Sequence, residues 1–222
     1  MSDLTFVDWG LIPYSEAFKK QKEWFETAIL QKSEHKEMQQ TVIFCEHPHV
    51  ITIGKNGSAS NLLFSEDALK EKQVELYPVD RGGDVTYHGP GQLVCYPIID
   101  LDAFHIGLKT YIFRLEEIII RLLEQYALKG ERLSGAIGVW LQAEDAHKAR
   151  KICAIGVKSS RYITMHGLAL NISTDLSYFG LINPCGFKDK GVTSLEKELN
   201  CKIDVEQLKA RLTTIFREEF LR

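Results

Sequence analysis

The feature that most constrains this chain is how its hydrophobic periods are arranged. A stretch at 109–127, where Ile112, Leu115, Ile119, Leu122 and Tyr126 recur at spacings of three and four, reads as an amphipathic helix. It separates two runs of strand-like segments, 41–45, 50–53, 74–79 and 92–99 before it and 136–141, 151–157 and 167–172 after it. Strands gathered into runs, without regular alternation with helices, argue against a doubly wound sheet. The expected class is α+β, a mixed and largely antiparallel sheet flanked by helices. A strand at 4–9 and a helix at 14–31, with Tyr14, Phe18, Phe25 and Ile29 on one side, complete the N-terminal part. Ser65 followed by Glu66 and Asp67 reads as the capped start of a short helix over 65–72. Helices are also expected at 193–199 and 204–220, the latter through Val205, Leu208, Leu212, Ile215 and Phe216.

The chain has 222 residues with no low-complexity tract, linker or repeat, so one domain over 1–222 is expected. Its net charge of −3 disfavours nucleic-acid binding driven by global charge. No apolar run approaches the ~20 residues a membrane span needs. The first five residues resemble neither a signal nor a transit peptide, so a cytoplasmic protein without membrane attachment is expected. Five cysteines, at 45, 95, 153, 185 and 201, form no CxxC pair, which argues against a secreted disulfide framework.

Four segments hold candidate chemistry. In the first, Arg81-Gly82-Gly83-Asp84-Val85-Thr86-Tyr87-His88-Gly89-Pro90-Gly91-Gln92, ligand-capable side chains sit among glycines that let backbone approach a ligand. The plain alternative is a pair of tight hairpin turns, and no phosphate-loop spacing is present. In the second, Asn183-Pro184-Cys185-Gly186-Phe187, the thiol is flanked by backbone-shaping residues and reads as a loop cysteine. An unassisted thiol is only about 3% thiolate at pH 7, so a nucleophile there would need a nearby base or cation. The third covers 147–171. Lys151 is either a strand end in solvent or such a cation, Cys153 lies in an apolar strand and reads as core, and His166 is a core or a lining residue. Gly156 and Gly167 would open space over a ligand tail. The fourth, Cys45-Glu46-His47-Pro48-His49, invites a zinc reading but lacks a fourth ligand nearby, and a structural turn fits it better.

Together these segments resemble one family, the octanoyl-[acyl-carrier-protein]:protein N-octanoyltransferases, also called lipoate-protein ligase B. The resemblance rests on Glu46-His47-Pro48 leading to Thr52-Ile53-Gly54, on the block Arg81 to Leu93, on Lys151-Ile152-x-Ala154-Ile155-Gly156, on His166 to Asn171, and on Ile182 to Gly186. It covers roughly residues 40–190, in family order. It implies a biotin/lipoate ligase-like sheet. It implies that Cys185 is an acyl-thioester nucleophile and that Lys151 lowers its pKa. The acyl substrate would be lined by Arg81, Gly82, Gly83, Asp84, Val85, Thr86, Tyr87 and His88, by Ala154, Ile155 and Gly156, and by Gly167, Leu168 and Ala169. Residues 158–165 lack the Arg-Arg-Gly run often seen before the His-Gly motif, which bears on how the carrier or acceptor is gripped.

The implied reaction moves an octanoyl or lipoyl group from the acyl carrier protein thioester, through Cys185, to a lysine of a lipoyl domain. Acceptors would be 2-oxoacid dehydrogenase subunits and the glycine cleavage H protein. No cofactor or metal is implied. Ile155, Val157, Leu168 and Leu170 are candidate walls of an acyl tunnel. Lys148, Arg150, Lys151, Lys158 and Arg161 form either a steering patch for acidic partners or an ordinary solvated edge. The rival readings are an ATP-dependent lipoate or biotin-type ligase and a non-catalytic carrier-binding module.

Overall fold

Residues 3–183 and 190–221 are described by the computed structural model. Strand β1 (Leu4–Leu11) leads into α1 (Tyr14–Ser33), β2 (Gln40–Glu46), β3 (Val50–Ile53), α2 (Glu66–Glu71), β4 (Glu75–Pro78), β5 (Val85–His88) and β6 (Gln92–Ile98). Helix α3 (Leu108–Glu124) separates these from β7 (Glu131–Leu133), β8 (Ala136–Leu141), β9 (Arg150–Ser160) and β10 (Ile163–Asn171). The chain ends with β11 (Gly191–Val192), α4 (Leu195–Leu199) and α5 (Val205–Phe220).

The large sheet runs β1-β2-β6-β10-β9-β8-β7, with β11 added along β9. Only its β1–β2 and β9–β11 pairs are parallel; the others are antiparallel. This is the mixed, mostly antiparallel sheet that the runs of strands predict. Strand alternation sends successive side chains to opposite faces. Val42 and Phe44 join α3 and α5 in one core, while Ile43 and Cys45 join α1 in another. Because both faces are covered, β6 and β10 are buried throughout. The apolar stripe of α3 (Leu115, Ile119, Leu122) and that of α5 (Leu208, Leu212, Phe216) meet over the first face.

A second sheet, β4-β3-β5, has a core of its own made by Ile51, Leu69, Val74, Val85 and Tyr87. Its strand β5 lies inside the glycine-rich segment that the sequence presents as turns. The glycines flank the strand, and four residues carry too little periodicity to announce it. Helix α1 is also rotated from its expected face. It buries Tyr14, Ala17, Gln21, Phe25 and Ala28, while Phe18 and Ile29 pack at the margin of that core. The Ser65 hydroxyl accepts from Ala68 N, as its capping position requires.

Candidate active site

Strands β9 and β10 pair in a register that sets Gly156 opposite Gly167 and Ala154 opposite Ala169. One stretch of the sheet therefore carries almost no side-chain bulk. Both glycines are sterically required. A Cβ on Gly167 would lie 2.1 Å from the Cys95 carbonyl oxygen, and one on Gly156 would lie 2.9 Å from that of Gly82. Over this floor lies a cavity of about 390 Å³, walled by segment 81–86, β5, the start of α3, β8 and residues 190–192. Ile112, Ile137, Ile155 and Leu168 make one side apolar, and Tyr14, Arg81, His88 and His166 make the other polar.

Every described residue singled out from the sequence for catalysis or acyl binding borders this cavity, except Tyr87 and Leu170. Alternation along β5 turns Tyr87 into the core of the small sheet. There its ring stacks on Tyr178 at 5.1 Å and its hydroxyl bonds to His49 Nδ1 at 2.7 Å. A Cβ on Gly89 would collide with that hydroxyl, so the His-Gly step makes room for Tyr87. Among the expected tunnel walls, Ile155, Val157 and Leu168 border the cavity, while Leu170 belongs to the core under α3. Cys185 lies outside the described residues. The chain around it leaves from Asn183, whose N–H donates to Asn61 O, and returns at Lys190 on the cavity wall.

Lys151 stands at the start of β9, half-buried on the cavity wall. Its Nζ donates to Ile137 O at 3.2 Å and lies 4.7 Å from the Trp140 ring centroid. Arg81 is a buried guanidinium, whose Nη1 donates to Gly82 O at 3.0 Å. Its Nη2 donates to Thr52 Oγ1 at 2.8 Å and to Thr52 O at 2.9 Å. A Cβ on Gly54 would lie 2.8 Å from Arg81 Nη1, so Thr52-Ile53-Gly54 is the seat of this arginine.

A scan against family descriptions matches the lipoyl protein ligase A/B catalytic domain over residues 21–217. The chain belongs to this family. A relative from Parabacteroides distasonis, named octanoyltransferase, is 56% identical over 220 residues, covering 99% of this chain and all of its own length (100%). An octanoyltransferase of Bacteroides fragilis is 56% identical over 206 residues, 93% of each chain. Among solved structures, a bipartite lipoate protein ligase from Thermoplasma acidophilum superposes with a TM-score of 0.73 at 15% identity, covering 99% of this chain and 84% of its own. A biotin protein ligase from Aquifex aeolicus superposes with a TM-score of 0.52 at 11% identity, covering 100% of this chain and 70% of its own. The expected biotin/lipoate ligase-like fold is thus the observed one.

In this lipoyl ligase A/B catalytic domain two buried histidines, His88 and His47, are held neutral. His88 Nδ1 bonds to Gln92 Oε1 at 2.7 Å, and Gln92 Nε2 donates to Asn171 Oδ1 at 2.8 Å. Since the Gln92 oxygen is the acceptor, His88 donates from Nδ1 and keeps Nε2 as an acceptor. Burial pushes its pKa down to about 3. His47 donates from Nδ1 to Ile12 O and bonds through Nε2 to the Tyr96 hydroxyl; burial pushes it down to about 4. With both ring nitrogens committed and Glu46 Oε2 accepting from Gly91 N, the Cys-Glu-His-Pro-His segment is a structural turn.

His166 has a left-handed backbone, φ +62, in the middle of β10. This departure turns its ring toward α1, where it stacks on Phe18 at 5.9 Å, although the preceding Met165 already packs on that side. Its Nε2 meets Asp80 Oδ1 at 3.1 Å, and Lys158 Nζ meets Asp80 Oδ2 at 2.5 Å. The His166 bond, then Lys158, hold the Asp80 carboxyl well below the usual range. Tyr14 and Asp80 escape a sequence reading because they look like a helix-face residue and a strand-end residue. The one signal available is that Asp80 directly precedes Arg81.

The basic run near the site is mostly spent on ion pairs. Arg150 binds Glu198 through Nε and Nη2, both at 2.6 Å, Lys158 binds Asp80, and Lys148 meets Asp145 at 3.0 Å. This arrangement favours the solvated-edge reading over a steering patch. Cys153 is buried, as its apolar strand predicts; Cys45 and Cys95 are buried as well, and Cys201 is exposed. Among the described residues, no helix is long and apolar enough to cross a membrane.

Proposed function

We propose that this chain transfers an octanoyl group from acyl carrier protein to a lysine of a lipoyl domain, through a thioester on Cys185 assisted by Lys151. The reaction class follows from family membership and from close relatives named octanoyltransferase: the chain is an acyltransferase of protein lipoylation. The observation that carries the finer reading is the placement of Lys151. It stands on the wall of a cavity with one apolar side, beside strand β11, where the described chain resumes after Cys185. We place the enzyme in the cytoplasm as one catalytic unit over residues 1–222, with 2-oxoacid dehydrogenase subunits and the glycine cleavage H protein as acceptors.

Lys151 takes the Cys185 proton, and the resulting ammonium stabilises the thiolate. The thiolate attacks the carrier thioester carbonyl. The bond to the carrier's sulfur breaks, and Lys151 returns its proton to that leaving thiolate. Octanoyl-Cys185 remains, with the eight-carbon chain along Ile112, Ile155 and Leu168. A neutral lysine amine of the acceptor then attacks, an amide forms, the Cys185 sulfur leaves, and Lys151 carries the proton from nitrogen to sulfur. Gly82, Gly83, Asp84, Val85, Thr86, His88, Ala154, Gly156, Gly167 and Ala169 contribute backbone or small side chains to the acyl site, with Arg81 fixing the loop. Tyr87 supports this loop from behind.

Intact mass after incubation with octanoyl-carrier protein, without ATP, tests the proposal. An octanoyl-sized gain that a lipoyl domain discharges, absent from Cys185→Ser, is expected. Octanoylation of the acceptor that requires ATP and survives Cys185→Ser would move the chain to the adenylating ligases.

A further inference from the structure

The Ile137–Gly138 peptide stands between Lys151 and a buried carboxylate. Its carbonyl oxygen accepts from Lys151 Nζ at 3.2 Å, and its N–H donates to Glu116 Oε1 at 3.1 Å. We propose that Glu116 is a positioning residue for Lys151, acting through this one peptide unit. The inference rests on Lys151 serving as the base described above.

Three features make the arrangement specific. First, Glu116 is 8% exposed and shares α3 with the apolar stripe, where a carboxylate is costly unless it is bonded. Its oxygens are divided. Oε1 takes the peptide N–H, and Oε2 takes Arg132 Nε at 3.0 Å. Arg132 is braced in turn by Glu117 Oε2 at 2.7 Å and Phe113 O at 3.1 Å, so the carboxylate cannot swing. Second, the β8–β9 register breaks between Val139 and Trp140, next to this peptide. Such irregularities re-aim groups beside active sites. Here the Ile137 carbonyl meets an ammonium. Third, Gly138 has φ +123, and a Cβ there would lie 2.5 Å from Cys153 O and 3.4 Å from Lys151 Cε. Only glycine lets the lysine stem cross this point.

A peptide bonded to an anion at its N–H presents a more negative carbonyl to the cation at its other end. Glu116 thereby holds the Lys151 ammonium in place without touching it. Among the described residues, the other charged groups around this end are Arg132 from β7, Lys190 ahead of β11, and Arg81 and Asp84 across the cavity, with the neutral His88 ring beside them. Arg150 is engaged by Glu198.

The test reads Lys151 itself rather than turnover. Trace acetylation of Lys151, followed by mass spectrometry across the alkaline range, gives its titration midpoint in wild type, Glu116→Gln and Glu117→Gln. Glu116→Gln keeps an acceptor for Gly138 N but removes the charge. Its midpoint should fall by about half to one pH unit, the size expected for losing a unit charge at this range. Glu117→Gln should leave the midpoint in place. The pH–rate profile of Glu116→Gln should move the same way, with kcat reduced and the KM for octanoyl-carrier protein retained. An unshifted midpoint in folded Glu116→Gln overturns the proposal. If that variant does not fold, wild type decides. The 15N–1H shift of Gly138 must follow the Lys151 titration, and a Gly138 amide that ignores it refutes the coupling. Failure of the underlying reading looks different: Lys151→Ala would form the octanoyl adduct at the wild-type rate, whatever Gly138 does.

Discussion

Acidification from pH 7 to pH 5 should cost this fold about 4 kcal/mol, through two buried rings. His88 and His47 take protons in the folded chain only near pH values of about 3 and about 4, against an ordinary value of 6.5. Between those limits the unfolded chain binds more protons than the folded one, so stability is present above the unfolded value and lost as pH falls. For a ring shifted this far, the linkage relation gives about 2 kcal/mol of loss between pH 7 and pH 5, and the two losses add because both folded rings stay neutral across this window. His166, also pushed down by burial, adds in the same direction. The depressed Asp80 carboxyl titrates below this window and contributes nothing to it. A loss of that size is a large share of the stability of an ordinary domain. Urea unfolding at the two pH values measures it, with His88→Gln and His47→Gln each expected to remove about half of the pH dependence. Equal unfolding free energies at pH 7 and 5, or an undiminished loss in the double variant, would refute the assignment of neutral buried rings.

Other consequences can be checked directly. Gly167→Ala drives a methyl into the Cys95 carbonyl and should destabilise by about 1–3 kcal/mol, read from the urea midpoint. Iodoacetamide should modify Cys201 quickly while Cys45, Cys95 and Cys153 stay unmodified until unfolding; in a Cys201→Ser background any fast second labelling should fall on Cys185 and be blocked by prior octanoylation, as peptide mapping would show. Ile155→Phe adds bulk on the apolar side of the cavity, so octanoyl should lose about ten-fold or more in kcat/KM relative to a shorter acyl chain. An unchanged preference would place the acyl chain elsewhere.

The sheet and its helices were legible because the apolar stripe of α3 and the alternating strands follow their own periods over many residues. Shorter elements were not. Strand β11 has two residues and β7 three, lengths at which tertiary pairing rather than local pattern decides. The site's glycines were legible as a cluster, yet what each makes room for was not. Gly89 accommodates the Tyr87 hydroxyl, Gly54 accommodates Arg81, and Gly138 accommodates Lys151, all across gaps in sequence. Tyr87 turns away from the cavity into the small-sheet core because β5 alternates, which could be foreseen only once β5 was known to be a strand. Glu116 looks like one more polar residue beside an apolar stripe, and the partner that links it to Lys151 is a backbone N–H, which no side-chain pattern records.

The two sheets have separate cores and meet at a junction of hydrogen bonds, ion pairs and ring contacts. Gly82 N–H donates to Val157 O, and Asp80 receives Lys158 and His166. The cavity lies at that junction, so anything filling it holds both bodies at once. An occupant present at a hundred times its dissociation constant adds about 2.7 kcal/mol to whatever keeps the small sheet docked. Docking of the small sheet thus becomes a property of the loaded enzyme, and the amide of Gly82 is its gauge. Solvent exchange there should slow when an acyl chain arrives and recover when it leaves.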